Sequence, residues 1–488
     1  MQQLTGLDAS FLYLEQTRAP MHIGGVQIYD QSTVPGGVQR FKDILTYIEA
    51  RLPLAASFRQ KIVKVPLNLD HPYWIEDRDF DLEYHVRHIR LPAPGDWRQL
   101  CIQVARLHSR PLDLTKPLWE ITVIEGLDSV EGLPKGCYAV VSKIHHACID
   151  GVSGVDITEA LHDTVPDPEP PPVKPWHGED PPSDLELLSR AGMHNLLLPF
   201  RFLEVAARTV PALGRVGLGL AEHTFHRAGK VPRTRFNHPI SSHRVFEARE
   251  FDVAEMRAIK NAVPGSTIND LVLSVCGGAL RKYLSAKDEL PATSLIAMAP
   301  ISVRTKDGKG KLGNQVAAMN VALATDIENP IERLEKVHEN AQSSKAMTNA
   351  LGAKLMTDYS QFIPSTVAGM ASRLYTRLGL ANRTTPLFNC VITNIPGPQV
   401  PLYSAGAKLV KHFGLGPIYD GMGLIFPVWS YNGILSISIT ACRDMMPDPE
   451  FFADCIQNAY AEVREVTIGR SAAQQDMNPP PGSSVGVG

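Results

Sequence analysis

Residues 138–160, YAVVSKIHHACIDGVSGVDITEA, contain the pattern that decides the fold and the chemistry of this 488-residue chain. The β-branched and aromatic residues before His145 predict a strand, and the residues from Asp150 to His162 predict a helix. Two adjacent histidines therefore stand where a strand ends. Because a sheet fixes the position of a strand end while the next loop exposes its side chains, such a place suits a catalytic group.

His146 is the candidate general base of this motif. A neutral imidazole can accept the proton of an alcohol whose oxygen attacks a carbonyl carbon, an effect worth roughly 10²- to 10⁴-fold in rate. The one GxSxG match, around Ser484, has no predicted strand before it and no helix after it, so it is no nucleophile elbow. The residues favour direct transfer between two bound substrates over an acyl-serine intermediate.

Other interpretations of the motif stay open from the residues alone. Cys148 could be a nucleophile, although a cysteine among apolar residues is usually a small buried side chain. His145, His146 and Asp150 could bind a metal ion, but adjacent histidines leaving a strand diverge and no fourth ligand is spaced nearby, so we predict no metal. The motif could also be structural, with a buried histidine and a helix-starting aspartate.

Composition and charge limit the class of protein. The chain is 44% hydrophobic and 20% charged with a formal net charge of -3, so we expect no nucleic-acid partner. Seven scattered cysteines without a CxxC pair indicate reduced thiols in a cytosolic protein. The first residues lack a signal-peptide layout, and no apolar run reaches the roughly 18 residues of a spanning helix. We therefore expect a cytoplasmic protein that meets lipid only from one side.

Length and proline content predict the domain organisation. A chain of 488 residues exceeds one compact core. Proline is too frequent in residues 164–182 for a packed element. Residues 185–230 carry spaced arginines among apolar residues, and they either pack on the protein itself or lie on a membrane surface. We predict a first domain over 1–165, a linker and helical crossover over 166–240, a second domain over 241–468, and a disordered tail over 469–488.

Strand and helix patterns occur on both sides of the proline-rich stretch, so each part should be a mixed α/β unit. Predicted strands cover residues 20–30, 138–144, 295–303, 315–324, 388–394 and 434–440. Predicted helices cover residues 38–52, 97–109, 270–284, 330–344 and 448–466.

The pattern His-His-x-x-x-Asp-Gly resembles the active-site motif of the wax ester synthase/diacylglycerol acyltransferase family, and more broadly that of chloramphenicol acetyltransferase-like enzymes. Further stretches are similar to this family in the same order, and the resemblance covers roughly residues 4–465. They include LTGLDASFLYLE (4–15), PMHIGG (20–25), RPLDLTKPLWE (110–120), STINDLVLSVCGGALRKYL (266–284) and NIPGP (394–398).

The resemblance implies an α+β fold with two chloramphenicol acetyltransferase-like domains and a central channel. It implies an O-acyltransferase that moves a long-chain acyl group from acyl-CoA to a fatty alcohol or to diacylglycerol. No bound cofactor is expected, since acyl-CoA is a substrate. Contact with a membrane or lipid-inclusion surface is left open.

The resemblance also assigns roles to residues. His146 is the general base, His145 shapes the site, and Asp150 with Gly151 is structural, with Arg304 as the candidate partner of Asp150. The substrate-binding candidates are Asn269, Trp119, Asn394 and Gly397, where Asn269 could instead cap a helix and Trp119 could instead anchor the core. Lys306, Lys309 and Lys311 could meet the coenzyme A phosphates or form a solvated loop.

Two other functions are alternatives to acyl-CoA-dependent O-acyl transfer. A condensation-type acyltransferase would take its acyl group from a carrier-protein thioester. A non-catalytic protein could coat lipid droplets through residues 185–230 and would synthesise no ester.

Overall fold

The computed structural model places two large β-sheets and a small one among helices, which confirms the predicted mixed α/β fold. Most predicted strands and helices are present within a few residues of their expected ends. The structure describes residues 1–148, 157–171, 178–196, 230–302, 316–351 and 374–477.

The described part of the first 165 residues contains seven strands and five helices. The strands are β1 (Gln2–Gln3), β2 (His22–Asp30), β3 (Gln60–Val63), β4 (Tyr73–Glu76), β5 (Val86–Arg90), β6 (Trp119–Glu125) and β7 (Tyr138–His145). The helices are α1 (Gly6–Leu14), α2 (Phe41–Arg51), α3 (Leu82–His85), α4 (Trp97–His108) and α5 (Ile157–Ala160). A single turn of 3-10 helix, His146–Cys148, follows β7 directly.

The later part contains eight described strands and four further helices, preceded by helical residues 184–196. The strands are β8 (Arg244–Asp252), β9 (Ile296–Ser302), β10 (Val316–Ala322), β11 (Cys390–Pro396), β12 (Tyr403–Ser404), β13 (Ala407–Leu415), β14 (Leu424–Tyr431) and β15 (Ile434–Cys442). The helices are α6 (Val253–Lys260), α7 (Ile268–Ser285), α8 (Pro330–Leu351) and α9 (Pro449–Met477).

A capping box starts α7. The Thr267 side chain accepts a hydrogen bond from the Asp270 backbone N–H (3.2 Å), and the Asp270 carboxylate accepts one from the Thr267 N–H (2.8 Å). This reciprocal pair satisfies two backbone donors that have no partner inside the helix. Thr267 is therefore the N-cap, and Asn269 lies inside the first turn. The alternative in which Asn269 caps the helix was wrong.

The first large sheet has the strand order β12-β13-β2-β7-β6-β5. Strands β2 and β7 are antiparallel, with His22 opposite His145 and Tyr29 opposite Tyr138. On the other side of β7, Trp119 of β6 lies opposite Ile144. The histidine motif thus leaves the end of a central strand that is held by neighbours on both sides.

Strand β13 joins the first sheet although it lies late in the chain. Its residues pair antiparallel with β2, from Lys408 opposite Asp30 to Leu415 opposite Gly24. The second large sheet, of order β10-β9-β11-β14-β15-β8, contains only later strands. The division at residues 165 and 240 stays a prediction, but the first sheet draws on both parts of the chain.

The two faces of β7 pack against different helices. Val141 lies in a core with Leu100 and Val104 of α4, and this core also contains Phe246 of β8. Val140 and Ile144 pack on the other face, in a core that contains residues of α2. Burying one such side chain contributes about 1.5–3 kcal/mol. The alternation along β7 therefore fixes which side chains face α4 and which face α2.

A third core packs α7 and α9 against the second large sheet. Tyr283 of α7 contacts Phe452 of α9, with ring centroids 5.0 Å apart, and Phe426 of β14 contacts Phe452 at 5.7 Å. These rings are fully buried. Aromatic residues at this junction hold both helices in a fixed position on the sheet.

Helix α9 continues to Met477, past residue 469 where a disordered tail was predicted. Alanine and glutamine in this stretch are good helix formers, and a helix already anchored by packing needs no further apolar contact to add a turn. Residues 478–488 of that tail and 197–229 of the predicted crossover lie outside the described residues. Among the described helices, none combines the length and apolarity needed to cross a bilayer.

Candidate active site

Backbone hydrogen bonds on both sides hold the end of β7. The His145 N–H donates to the Leu118 carbonyl (2.9 Å), and the His146 N–H donates to the Met21 carbonyl (2.9 Å). The two acceptors lie just before β6 and β2, the strands that flank β7. The sheet therefore fixes the backbone of both histidines before any side-chain contact is considered.

His145 is fully buried and has a partner for each ring nitrogen. Its Nδ1 accepts the Ala147 backbone N–H (3.1 Å), and its Nε2 lies 3.0 Å from Oε2 of Glu15. Since Nδ1 accepts a hydrogen bond, Nε2 carries the hydrogen and donates it to the carboxylate. Oε1 of Glu15 is buried without a partner among the described residues. His145 thus connects the end of α1 to the turn that follows β7.

His146 is partly buried and stacks on the Phe11 ring of α1, with ring centroids 3.8 Å apart and an angle of 15° between the planes. Burial lowers the pKa of His146 to about 4, and the nearby His145 ring adds to this effect. Nδ1 of His146 is buried with no hydrogen-bond partner in the described structure. At neutral pH the imidazole is therefore uncharged and able to accept a proton.

Two buried histidines support the sheet beside this site. Nε2 of His22 donates to the His108 carbonyl (2.7 Å), and Nε2 of His108 donates to the Gly416 carbonyl (2.9 Å), which follows β13. Burial lowers the pKa of both rings, that of His108 to about 3. Both are neutral, and they link β2, α4 and β13 behind the histidine motif.

Asn269 and Asn394, two of the predicted substrate-binding residues, lie together. Nδ2 of Asn394 in β11 donates to Oδ1 of Asn269 in the first turn of α7 (3.2 Å). The neighbouring Asp270 is buried and accepts a hydrogen bond from Nδ1 of His338 (2.9 Å). No hydrogen bond, ion pair or ring contact between described residues joins this pair to His146. Their predicted role at the reaction centre stays a prediction.

Gly397 follows β11 and lies very close to β14. Its N–H donates to the Ser430 carbonyl (2.9 Å). A Cβ atom at this position would lie 2.4 Å from the Ser430 oxygen and 2.5 Å from Nε1 of Trp429. Both distances are too short for carbon, so only glycine allows this approach.

Replacing Gly397 with alanine should therefore lower the free energy of unfolding by about 1–3 kcal/mol, because β11 must move away from β14. Chemical denaturation of the purified variant measures this. Gly433→Ala is the matched comparison for added side-chain volume, because a Cβ there meets no atom within 4 Å, although its positive φ adds backbone strain. A G397A protein as stable as wild type would show that the close approach is not required.

Trp119 lies in the core beside the motif. It is buried, its Nε1 donates to the Phe58 carbonyl (2.9 Å), and its ring stacks on His85 at 4.5 Å. Because its polar atom has a partner, its ring stacks on His85 and the side chain is buried, Trp119 fits the core-anchor alternative better than direct substrate contact.

Several predicted residues lie outside the described structure. They are Asp150 and Gly151 of the histidine motif, Arg304 as the predicted partner of Asp150, and the predicted phosphate-binding residues Lys306, Lys309 and Lys311.

The alternative chemistries gain no support from the described residues. Burial raises the pKa of the Cys148 thiol far above its usual value, so the nucleophilic thiolate is disfavoured. No group of three or more histidine, cysteine and acidic side chains within the described ranges is arranged to hold a metal ion.

Glu15 and Phe11 were not predicted as site residues, although both lie in the LTGLDASFLYLE stretch used for the resemblance. Helical spacing indicated nothing special about them, because their partners, His145 and His146, are more than 100 residues away in sequence. The one available signal was a carboxylate directly after the apolar end of a helix, FLYL (11–14).

Two family models match most of the chain. The wax ester synthase/diacylglycerol acyltransferase catalytic domain matches residues 4–272, and the C-terminal domain of the same family matches residues 312–464. The first model includes the whole histidine motif.

Relatives match over nearly their full lengths. A Mycobacterium tuberculosis protein with the provisional name diacylglycerol O-acyltransferase is 35% identical over 472 residues, covering 95% of this chain and 90% of that protein. The O-acyltransferase WSD of Acinetobacter baylyi is 32% identical over 466 residues, covering 92% of this chain and 93% of that protein.

Solved structures agree with these matches. The wax ester synthase/diacylglycerol acyltransferase of Marinobacter aquaeolei VT8 is 28% identical with a TM-score of 0.66, covering 96% of this chain and all of that one (100%). A starter condensation domain of rhizomide synthetase, at 13% identity, has a TM-score of 0.54 over 96% of this chain and 94% of that one, and it shows a shared fold alone. From the two family models and these relatives, the chain belongs to the wax ester synthase/diacylglycerol acyltransferase family.

Proposed function

We propose that this O-acyltransferase moves a long-chain acyl group from acyl-CoA to the hydroxyl of a fatty alcohol or of diacylglycerol, with His146 as general base. The observation that carries the mechanism is the neutral imidazole of His146, which stacks on Phe11. Backbone hydrogen bonds to the neighbouring strands hold this residue at the end of β7. Acyltransferase activity follows from family membership. The acceptor and the residue roles are the proposal.

The reaction needs one base and no covalent enzyme intermediate. The acceptor hydroxyl oxygen attacks the thioester carbonyl carbon while its proton passes to the His146 imidazole. The carbon–sulfur bond then breaks, the new ester keeps the acyl group, and the proton passes from His146 to the leaving coenzyme A sulfur. Binding both substrates in a channel between the two parts of the chain would replace a bimolecular encounter with proximity.

His145 is a positioning residue in this scheme. Its bonds to Glu15 and to the Ala147 N–H hold the turn that carries His146. Asp150, paired with Arg304 and followed by Gly151, would hold the next part of the loop. Asn269, Asn394 and Gly397 would shape the substrate side of the site, and Trp119 would support it from the core.

Purified protein incubated with palmitoyl-CoA, and with hexadecanol and dipalmitoylglycerol in parallel, tests the function by thin-layer chromatography of the products. Wax ester or triacylglycerol should appear. No product from either acceptor, together with activity from an acyl carrier-protein thioester, would favour the condensation-type rival. Lipid binding without any ester synthesis would favour the lipid-coating rival.

Both acceptors are lipids that partition into membranes or inclusions, so we infer that the protein works at the cytoplasmic side of such a surface. Helical residues 184–196 expose Leu185, Met193 and Leu196, which is consistent with one-sided contact.

A further inference from the structure

A basic pocket lies at the start of the second part of the chain, and none of its described lining residues belongs to the histidine motif. It is open to solvent and has a volume of about 460 Å³. Three cationic side chains line it, Lys230, Arg233 and Arg383, and none of the described residues that line it is acidic. Thr293, Thr384 and Thr385 also line it, and the Thr384 hydroxyl donates to the Leu380 carbonyl (2.9 Å).

Among the described residues, no neighbouring acid neutralises the positive charge of this pocket. Within the described ranges, none of Lys230, Arg233 and Arg383 forms an ion pair, whereas the nearby Arg235 is paired with Glu289 at 2.7 Å. Arg383 and Lys230 are exposed. Three cationic side chains without an acidic partner around one cavity raise the local concentration of an anion.

Arg233 is held rigidly at the rim. Its guanidinium donates to the carbonyls of Ala381 (2.6 Å), Thr384 (2.5 Å) and Asn237 (3.3 Å). Carbonyl acceptors orient the group but leave its full charge. The pocket therefore has one preoriented cation and two adaptable ones, next to hydroxyl donors, which is the chemistry that recognises a phosphate group.

The pocket is connected to β11, the strand that carries Asn394. Nδ2 of Asn389 donates to the Pro232 carbonyl at the pocket wall (2.6 Å), and β11 begins at the next residue, Cys390. At 3.3–3.4 Å per residue, Asn389 and Asn394 lie about 17 Å apart. A phosphate in the pocket would thus lie about 17 Å from the Asn269–Asn394 pair, a distance comparable to the length of an extended pantetheine arm.

We propose that this pocket binds the 3′-phosphate of coenzyme A, with the rest of the coenzyme extending from the pocket toward the reacting thioester. The inference rests on the proposed acyl-CoA-dependent function and names residues for a role that sequence patterns had suggested for Lys306, Lys309 and Lys311. Lys230 and Arg383 are exposed cations that can adjust to the phosphate, and Arg233 is a cation held in place by three carbonyl groups.

The test compares palmitoyl-CoA with palmitoyl-3′-dephospho-CoA in the wild type and in a Lys230→Gln/Arg383→Gln double variant. We expect the KM of the variant for palmitoyl-CoA to rise about tenfold, the size of a charge-assisted contact. Its KM for the dephospho substrate should rise less, and its kcat should stay unchanged because neither residue touches the reacting atoms. Both side chains are exposed and without ion pairs, so an unchanged Tm is expected as well.

Lys42→Gln/Arg257→Gln is the matched control, since it removes the same two charges from exposed positions outside the pocket. It should leave both KM values unchanged. An equal KM rise in the two double variants, or no rise in either, would overturn the proposal. Loss of binding to phosphatidylglycerol vesicles with unchanged KM would assign the pocket to a membrane headgroup and overturn it too. A wild type that forms no ester would instead refute the proposed function.

Discussion

Replacing His146 with alanine should lower kcat for ester synthesis by about 10²- to 10⁴-fold, with little change in KM for palmitoyl-CoA. The imidazole is uncharged at neutral pH because burial lowers its pKa to about 4, so it can take the hydroxyl proton during attack. Alanine removes the base and leaves the backbone bond from residue 146 to Met21 in place. Steady-state kinetics with hexadecanol as acceptor measure the loss, and an unchanged far-UV circular dichroism spectrum controls for folding.

The pH dependence supplies an independent check on the same residue. Protonated imidazole cannot accept the proton, so activity is lost as pH falls through the pKa of His146. Because that pKa lies near 4 and not near the usual 6.5, kcat/KM should stay nearly flat from pH 8 to pH 5. An acid limb centred near 6.5 that disappears in H146A would contradict the burial of this ring. An alanine variant with wild-type kcat would contradict its role as base.

Replacing Glu15 with alanine should lower kcat by about tenfold to a hundredfold, because His145 would lose the carboxylate that orients it and the turn carrying His146 would shift. Nε2 of His145 would also remain as a buried donor without a partner, at a cost of about 1–3 kcal/mol in the free energy of unfolding. The measurement is kcat and KM for both substrates, together with urea denaturation.

The conservative variant separates positioning from general stability. Glu15→Gln keeps an oxygen that can accept the Nε2 hydrogen of His145, so it should recover most of the lost kcat. Glu49→Ala, on the exposed side of α2, is the matched control for loss of a carboxylate. If E15A changed only KM, or if E15Q were as slow as E15A at equal stability, the proposed positioning role would be wrong.

Local patterns predicted much of the fold. Alternation along residues 138–144 and helical spacing over 97–109 and 270–284 agree with β7, α4 and α7, since these patterns depend only on neighbours a few residues apart. The same patterns carried no information on the pairing of β13 with β2. That pairing joins residues more than 370 positions apart, and a strand's sequence does not specify which distant strand will satisfy its backbone groups.

The sequence by itself determined the family and the strand that leads into two histidines, because both depend on residue types at short spacings. It also predicted His146 over Ser484 as the reactive group. Only the tertiary structure decided that Glu15 holds His145, that Phe11 stacks on His146, and that Lys230, Arg233 and Arg383 surround one pocket. These contacts join residues distant in sequence, and the lowered pKa of His146 arises from burial by all of its neighbours together. Such quantities exist only once the chain has folded.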